Sequence, residues 1–145
     1  MHHNLETITI REVALTYPGH LPERLKKANG QEDAAAIVRE IVNGRPQEHF
    51  IVLHLDTKNQ VVSYSIAGIG TVDSCLVHPR EVFGVALRAN ASGIIIAHNH
   101  PSGDCTPSPQ DREVTRRLKD VGEIIGCQVL DSLIVSQESF YSLLH

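Results

Sequence analysis

The order of strand-like and helix-like segments predicts an α/β sandwich, with helices covering a mixed β-sheet. Three observations carry this. Residues 93–97 (GIIIA) form an uninterrupted apolar run, the pattern of a central strand covered on both faces. Segments with helical apolar spacing lie on either side of that run, and a hairpin pattern precedes it. The chain has 145 residues, 41% of them apolar, which suits one domain with one core and divides into an N-terminal strand and connector (1–32) and the domain proper (33–145).

Taken in order, residues 7–17 (TITIREVALTY) are rich in β-branched residues and read as a strand ending at Pro18-Gly19. Residues 20–30 form a polar connector. Asp33 is the expected cap of a first helix, with Ala34, Ile37, Val38 and Ile41 on one face and Asn43-Gly44 as its stop. Residues 49–55 and 61–66 flank the turn-like DTKNQ and form a hairpin. Gly68-x-Gly70 is not a nucleotide loop. Pro79 opens a second helix buried through Val82, Val85, Ala86 and Ala89. After the central strand, the loop PSGDCTPSPQ leads to a third helix with a Val114, Leu118, Val121 and Ile125 stripe, and a strand over 128–135 and a short tail complete the fold.

Composition removes several classes of function. A membrane span needs ~18 or more apolar residues, far more than the run at 93–97 supplies. The N-terminus shows no secretory pattern, so the expected compartment is the cytoplasm. Cys75, Cys105 and Cys127 are too few and too scattered for a disulfide framework or a cysteine metal knuckle. With 13 basic and 17 acidic residues, the net charge of -4 supplies no footprint for duplex DNA. Nine histidines are many for this length and direct attention to where they cluster.

They cluster at the end of the central strand. Residues two apart in a strand point to the same side, so His98 and His100 can share one ion. Asp111 begins the stripe that buries Val114 and Leu118, and a carboxylate placed there needs a partner. Two imidazoles and one carboxylate suit zinc and leave a fourth position open, as in catalytic sites. Glu48, at the mouth of a strand, is the candidate general base, and Ser108 the candidate donor to a developing oxyanion. Other readings stand beside these. Ser108-Pro109-Gln110-Asp111 is also a good helix start, two histidines at a strand end can simply be solvated, and a lone Glu48 can be a surface carboxylate. Capping and ligation are compatible, since a cap fixes the backbone from which Asp111 reaches out.

His98-x-His100, ten intervening residues and Asp111, with Ser108 in the gap and Glu48 upstream, is similar to the JAMM (MPN+, JAB) metalloprotease motif. More closely, GTVDSCLVHPREVF and IIIAHNHPSGDCTPSPQDREVTRRL resemble the JAB domain of the RadC family, over roughly residue 33 to the C-terminus. The resemblance implies a cytidine-deaminase-like α/β/α fold (the JAB/MPN fold) and Zn2+ held by His98, His100 and Asp111. It also implies Glu48 as general base and Ser108 as oxyanion donor. Larger RadC proteins carry a helix-hairpin-helix region at the N-terminus that these residues lack, which weakens an inherited DNA-repair label. Two positions depart from the family pattern. Asp131-Ser132 stands where Asp-His is usual, and Cys105 where a small residue or proline is commoner, the latter a conceivable soft metal ligand.

The function expected is hydrolysis of peptide or isopeptide bonds by zinc-bound water that Glu48 deprotonates, acting on a protein or peptide substrate. The alternatives are a DNA-repair-associated binding protein of the RadC type and a metal-dependent nuclease.

Overall fold

The structure is a computed structural model that describes residues 28–70 and 77–145. The strand expected over 7–17, most of the connector after it and Cys75 lie outside the described residues. Among the described residues three helices and five strands follow in the order α1 (Gln31–Val42), β1 (His49–Leu55), β2 (Val61–Ile69), α2 (Pro79–Arg88), β3 (Gly93–Asn99), α3 (Pro109–Ile125), β4 (Gln128–Val135) and β5 (Phe140–Ser142). The strands form one mixed sheet ordered β2-β1-β3-β4-β5, in which only β3 and β4 run parallel. No helix among the described residues is long and apolar enough to cross a membrane.

The sheet separates two cores. Ile51, Leu53, Leu55, Ile95 and Ala97 pack with Ala34, Ile37, Val38 and Ile41 of α1. Their alternate neighbours Phe50, Val52, Ile94 and Ile96 pack with Val82, Phe83 and Ala86 of α2 and with Val114 and Leu118 of α3. Both β1 and β3 are buried at every position, because helices cover both faces of these central strands. Each fully buried Ile or Leu contributes roughly 1.5–3 kcal/mol, so this double burial holds β1 and β3 rigidly side by side.

Several expectations need correction. Gly30, not Asp33, is the N-cap of α1; Asp33 lies one turn inside and reaches back to accept the Asn29 N–H at 3.2 Å. The second strand of the hairpin runs on to Ile69. On α2, Phe83 is buried while Val85 and Ala89 are only partly covered. On α3 the stripe bends to Thr115 and Gly122, and Ile125 is exposed. A Cβ at Gly122 would lie 2.5 Å from the Cys127 carbonyl oxygen, so the absence of a side chain lets α3 press against the turn into β4. Large apolar residues at helical spacing suggested Val121 and Ile125; close backbone approach selected the glycine between them.

The hairpin turn closes as expected. Asp56 Oδ1 accepts the N–H groups of Lys58 and Gln60, both at 2.9 Å, and Asn59 takes a left-handed conformation with φ 57°. Beside it His54, buried between strands, meets Ser63 Oγ at 2.7 Å and Ser65 Oγ at 3.2 Å. Burial disfavours the imidazolium and lowers its pKa from 6.5 to about 4.

This packing has two measurable consequences. Gly122→Ala destabilises the fold by about 1–3 kcal/mol in urea denaturation, because backbone rather than a mobile side chain must yield. The His54 linkage has a definite sign: between the two pKa values the unfolded chain binds more protons than the folded one. Stability is therefore greatest above pH 6.5 and declines as pH falls toward 4. The decline amounts to about 2 kcal/mol by about pH 5. His54→Leu removes that share of the slope in urea titrations across this range.

Candidate metal centre

Where β3 ends, three elements converge. Its C-terminal residues lie beside the start of β1 and beneath the N-terminus of α3. The β1–β3 ladder is antiparallel and places Phe50 opposite His98. Continued by one more pair on the same face, that register sets Glu48 opposite His100, and their side chains meet at 3.3 Å between Oε1 and Nε2. His98 and His100 share one side of the strand, as the period of two requires, with their Nε2 atoms 3.0 Å apart. Phe50 stacks on the His98 ring, with centroids 6.2 Å apart and planes at 11°.

Asp111 enters from the first turn of α3. Ser108 is the N-cap: its Oγ accepts the Asp111 N–H at 3.1 Å, while Asp111 Oδ2 accepts the Ser108 N–H at 2.9 Å. Oδ2 is thereby committed, and Oδ1 faces His98 Nε2 at 3.3 Å. Burial alone would raise the Asp111 pKa. Hydrogen bonds from His98 and from the Ser108 backbone, with the charge of His98, outweigh that and hold it down to about 2. The side chain is thus an anion, 5% exposed, tied to the backbone on one side and to an imidazole on the other.

The protonation of His100 follows from its neighbour. Its Nδ1 lies 2.6 Å from the Asp104 carbonyl oxygen, which can only accept, so Nδ1 carries the hydrogen. In the neutral ring Nε2 then presents a lone pair toward His98 and Glu48. Outer hydrogen bonds of this kind orient metal-binding histidines. The result is a cluster of two imidazole nitrogens and two carboxylates, ligand types that suit a divalent cation once His98 gives up the proton it shares with Asp111. The donor set fits zinc.

All five expected site residues therefore meet, but in a particular arrangement. Glu48, His98 and His100 form the tight group of ligand-capable atoms, mutually within 4.8 Å. Asp111 joins at His98, and Ser108 acts first as the cap that fixes Asp111. Cys105, a conceivable ligand, turns instead toward Ser139 Oγ at 3.4 Å. Ser132 Oγ lies 2.8 Å from Thr115 Oγ1, one helical turn beyond Asp111, so this departure from the family pattern fastens α3 to β4.

One contributor to the site lies inside the quoted motif but was given no role from the sequence. Asn99, between the two histidines, faces the other way, and its Oδ1 accepts the His49 N–H at 2.7 Å while its Nδ2 donates to the Gln47 carbonyl at 3.1 Å. Its place between two ligand-type residues in a strand was the available signal, since alternation aims it away from the face that His98 and His100 share.

A mixed α/β sheet sandwich with paired histidines at the end of a central strand and a capped aspartate above them defines a JAB-type domain. A RadC-like JAB domain model matches residues 28–145. The chain belongs to the RadC family of JAB domains. It is 48% identical over 112 residues to a UPF0758 protein of Shouchella clausii, covering 77% of this chain and 49% of that protein. It is 49% identical to the UPF0758 protein YsxA of Bacillus subtilis, with 77% and 48% coverage, and 49% identical to a UPF0758 protein of Desulforamulus reducens, with 77% and 49%. The chain spans about half the length of the curated relatives it matches.

Ser108→Ala removes the acceptor for the Asp111 N–H and costs about 1 kcal/mol of stability, measurable by urea denaturation.

Proposed function

We propose that this domain is a zinc-dependent hydrolase of the JAMM type that cleaves peptide or isopeptide bonds. The observation that carries the reading is the run of contacts from Glu48 to His100, His98 and Asp111, with Glu48, His98 and His100 as its tight core and His100 held in the tautomer that turns its lone pair toward the other two. His98, His100 and Asp111 hold the ion. Asp111 suits ligation because it is buried, ionised and backbone-locked, whereas Glu48 is longer and more exposed and suits proton transfer. When bound, zinc supplies Lewis-acid polarisation of a carbonyl and makes water a competent nucleophile near neutral pH. Glu48 accepts the proton of the attacking water and returns it to the leaving amine. The Ser108 hydroxyl donates to the oxygen on which negative charge develops.

Zinc analysis of purified variants, paired with a screen of peptide and isopeptide substrates, tests this. Glu48→Gln keeps near-stoichiometric zinc and loses at least ~100-fold in turnover. Asp111→Ala weakens zinc affinity itself by more than about tenfold. Undiminished turnover in Glu48→Gln overturns the assignment of the base. Zinc loss in Glu48→Gln with retention in Asp111→Ala exchanges the roles of the two carboxylates. Cleavage of phosphoesters and not amides overturns the peptidase reading while leaving the metal site in place.

A further inference from the structure

The residues around Glu48 are held more tightly than an ordinary strand entrance requires. The last backbone pair of the β1–β3 ladder is Phe50 with His98, so the groups preceding Phe50 need other partners. Asn99 supplies two of them through one carboxamide: its oxygen takes the His49 N–H at 2.7 Å and its amide nitrogen donates to the Gln47 carbonyl at 3.1 Å. These two partners flank Glu48 on either side. The Gln47 carbonyl also faces His49 Nδ1 at 2.7 Å, and the Glu48 carbonyl accepts the Gly70 N–H at 2.7 Å. Every backbone group named here is engaged, which restrains the backbone on both sides of Glu48.

The chemistry fits asparagine specifically. The clamp needs a donor and an acceptor side by side on a short stem. Aspartate has no donor, serine has one oxygen, and alanine has neither. Only one orientation of the carboxamide satisfies both partners, so the assignment of its oxygen and nitrogen is determined by them. Asn99 and His49 are both buried, which makes each of these bonds costly to lose.

We propose that Asn99 is a positioning residue that couples Glu48 to the strand carrying both histidines, so that the carboxylate keeps a set distance from whatever ion His98 and His100 hold. The proposal rests on the reading of Glu48 as the proton-transfer group. His98, Asn99 and His100 then act as one unit: the outer two side chains face the ion and the middle one grips the backbone of the base. A general base must sit within hydrogen-bonding reach of the proton it takes, and a shift of about 1 Å can cost roughly a hundredfold in rate.

The test uses the full chain loaded with cobalt(II), whose visible bands respond to charge and hydrogen bonding beside the ion. Asn99→Ala and the isosteric Asn99→Asp keep cobalt stoichiometry, and Asn99→Ala shifts the visible bands in the same direction as Glu48→Gln. In the Glu48→Gln background, Asn99→Ala adds no further shift. In the metal-free chain, amide exchange at His49 accelerates roughly tenfold in Asn99→Ala, the factor expected from losing one ordinary hydrogen bond. A spectrum unchanged by either Asn99 variant while Glu48→Gln alters it, or shifts that add in full, overturns the positioning role. Unchanged exchange at His49 overturns the clamp. A wild-type chain that takes up neither cobalt nor zinc overturns the hydrolase reading itself, and exchange at His49 in the metal-free chain then decides the clamp separately.

Discussion

The antiparallel ladder between β1 and β3 sets Phe50 across from His98 and, continued two residues on to the next pair of the same face, Glu48 across from His100. A shift of one residue in that register would send Glu48 to the opposite face, toward α1 and away from both histidines. The two cores hold the register. Every position of β1 and β3 is buried, and alternate residues are committed to α1 on one side and to α2 and α3 on the other, so slippage would exchange two complete sets of packing contacts. The buried aliphatic residues thus serve the site by holding this register.

Electrostatics at the site derives from the same framework. Two imidazole nitrogens 3.0 Å apart, beside two carboxylates, form a cluster in which acceptors outnumber donors. The fold has already committed the remaining hydrogen-bonding capacity: the outer nitrogen of His100 to the Asp104 carbonyl, one oxygen of Asp111 to the helix cap, and the Asn99 carboxamide to the backbone around Glu48. What remains unspent points inward. The cost of orienting these side chains is thus met during folding.

Packing on either side of β4 accounts for both members of the Asp131-Ser132 pair. Ser132 bonds to Thr115 and so braces the helix that supplies Asp111, and Asp131 accepts the Ser142 hydroxyl at 2.6 Å, which ties the short β5 to β4. Both depend on an irregularity at Leu130: Ile94 pairs with Val129, and Ile95 with Asp131. This bulge shifts the alternation by one, turning Ser132 and Ile134 toward α3 and Leu133 and Val135 toward α1.

The sequence by itself determined the elements whose signals are local. The apolar run of β3, the hairpin around DTKNQ, the proline starts of α2 and α3 and the His98-x-His100 spacing all follow from periodicity and turn chemistry within a few residues. Asp111 and Ser108 were readable for the same reason, since a capping box lies within one helical turn. Only the tertiary structure decided the rest. The bulge at Leu130, the burial of Gly122 in preference to Ile125, the cross-strand placement of Glu48 and the grip of Asn99 on its backbone each depend on a partner distant in sequence. Local pattern carries no record of such a partner, because pairing energy between strands is set by contacts that exist only once the chain has closed around them.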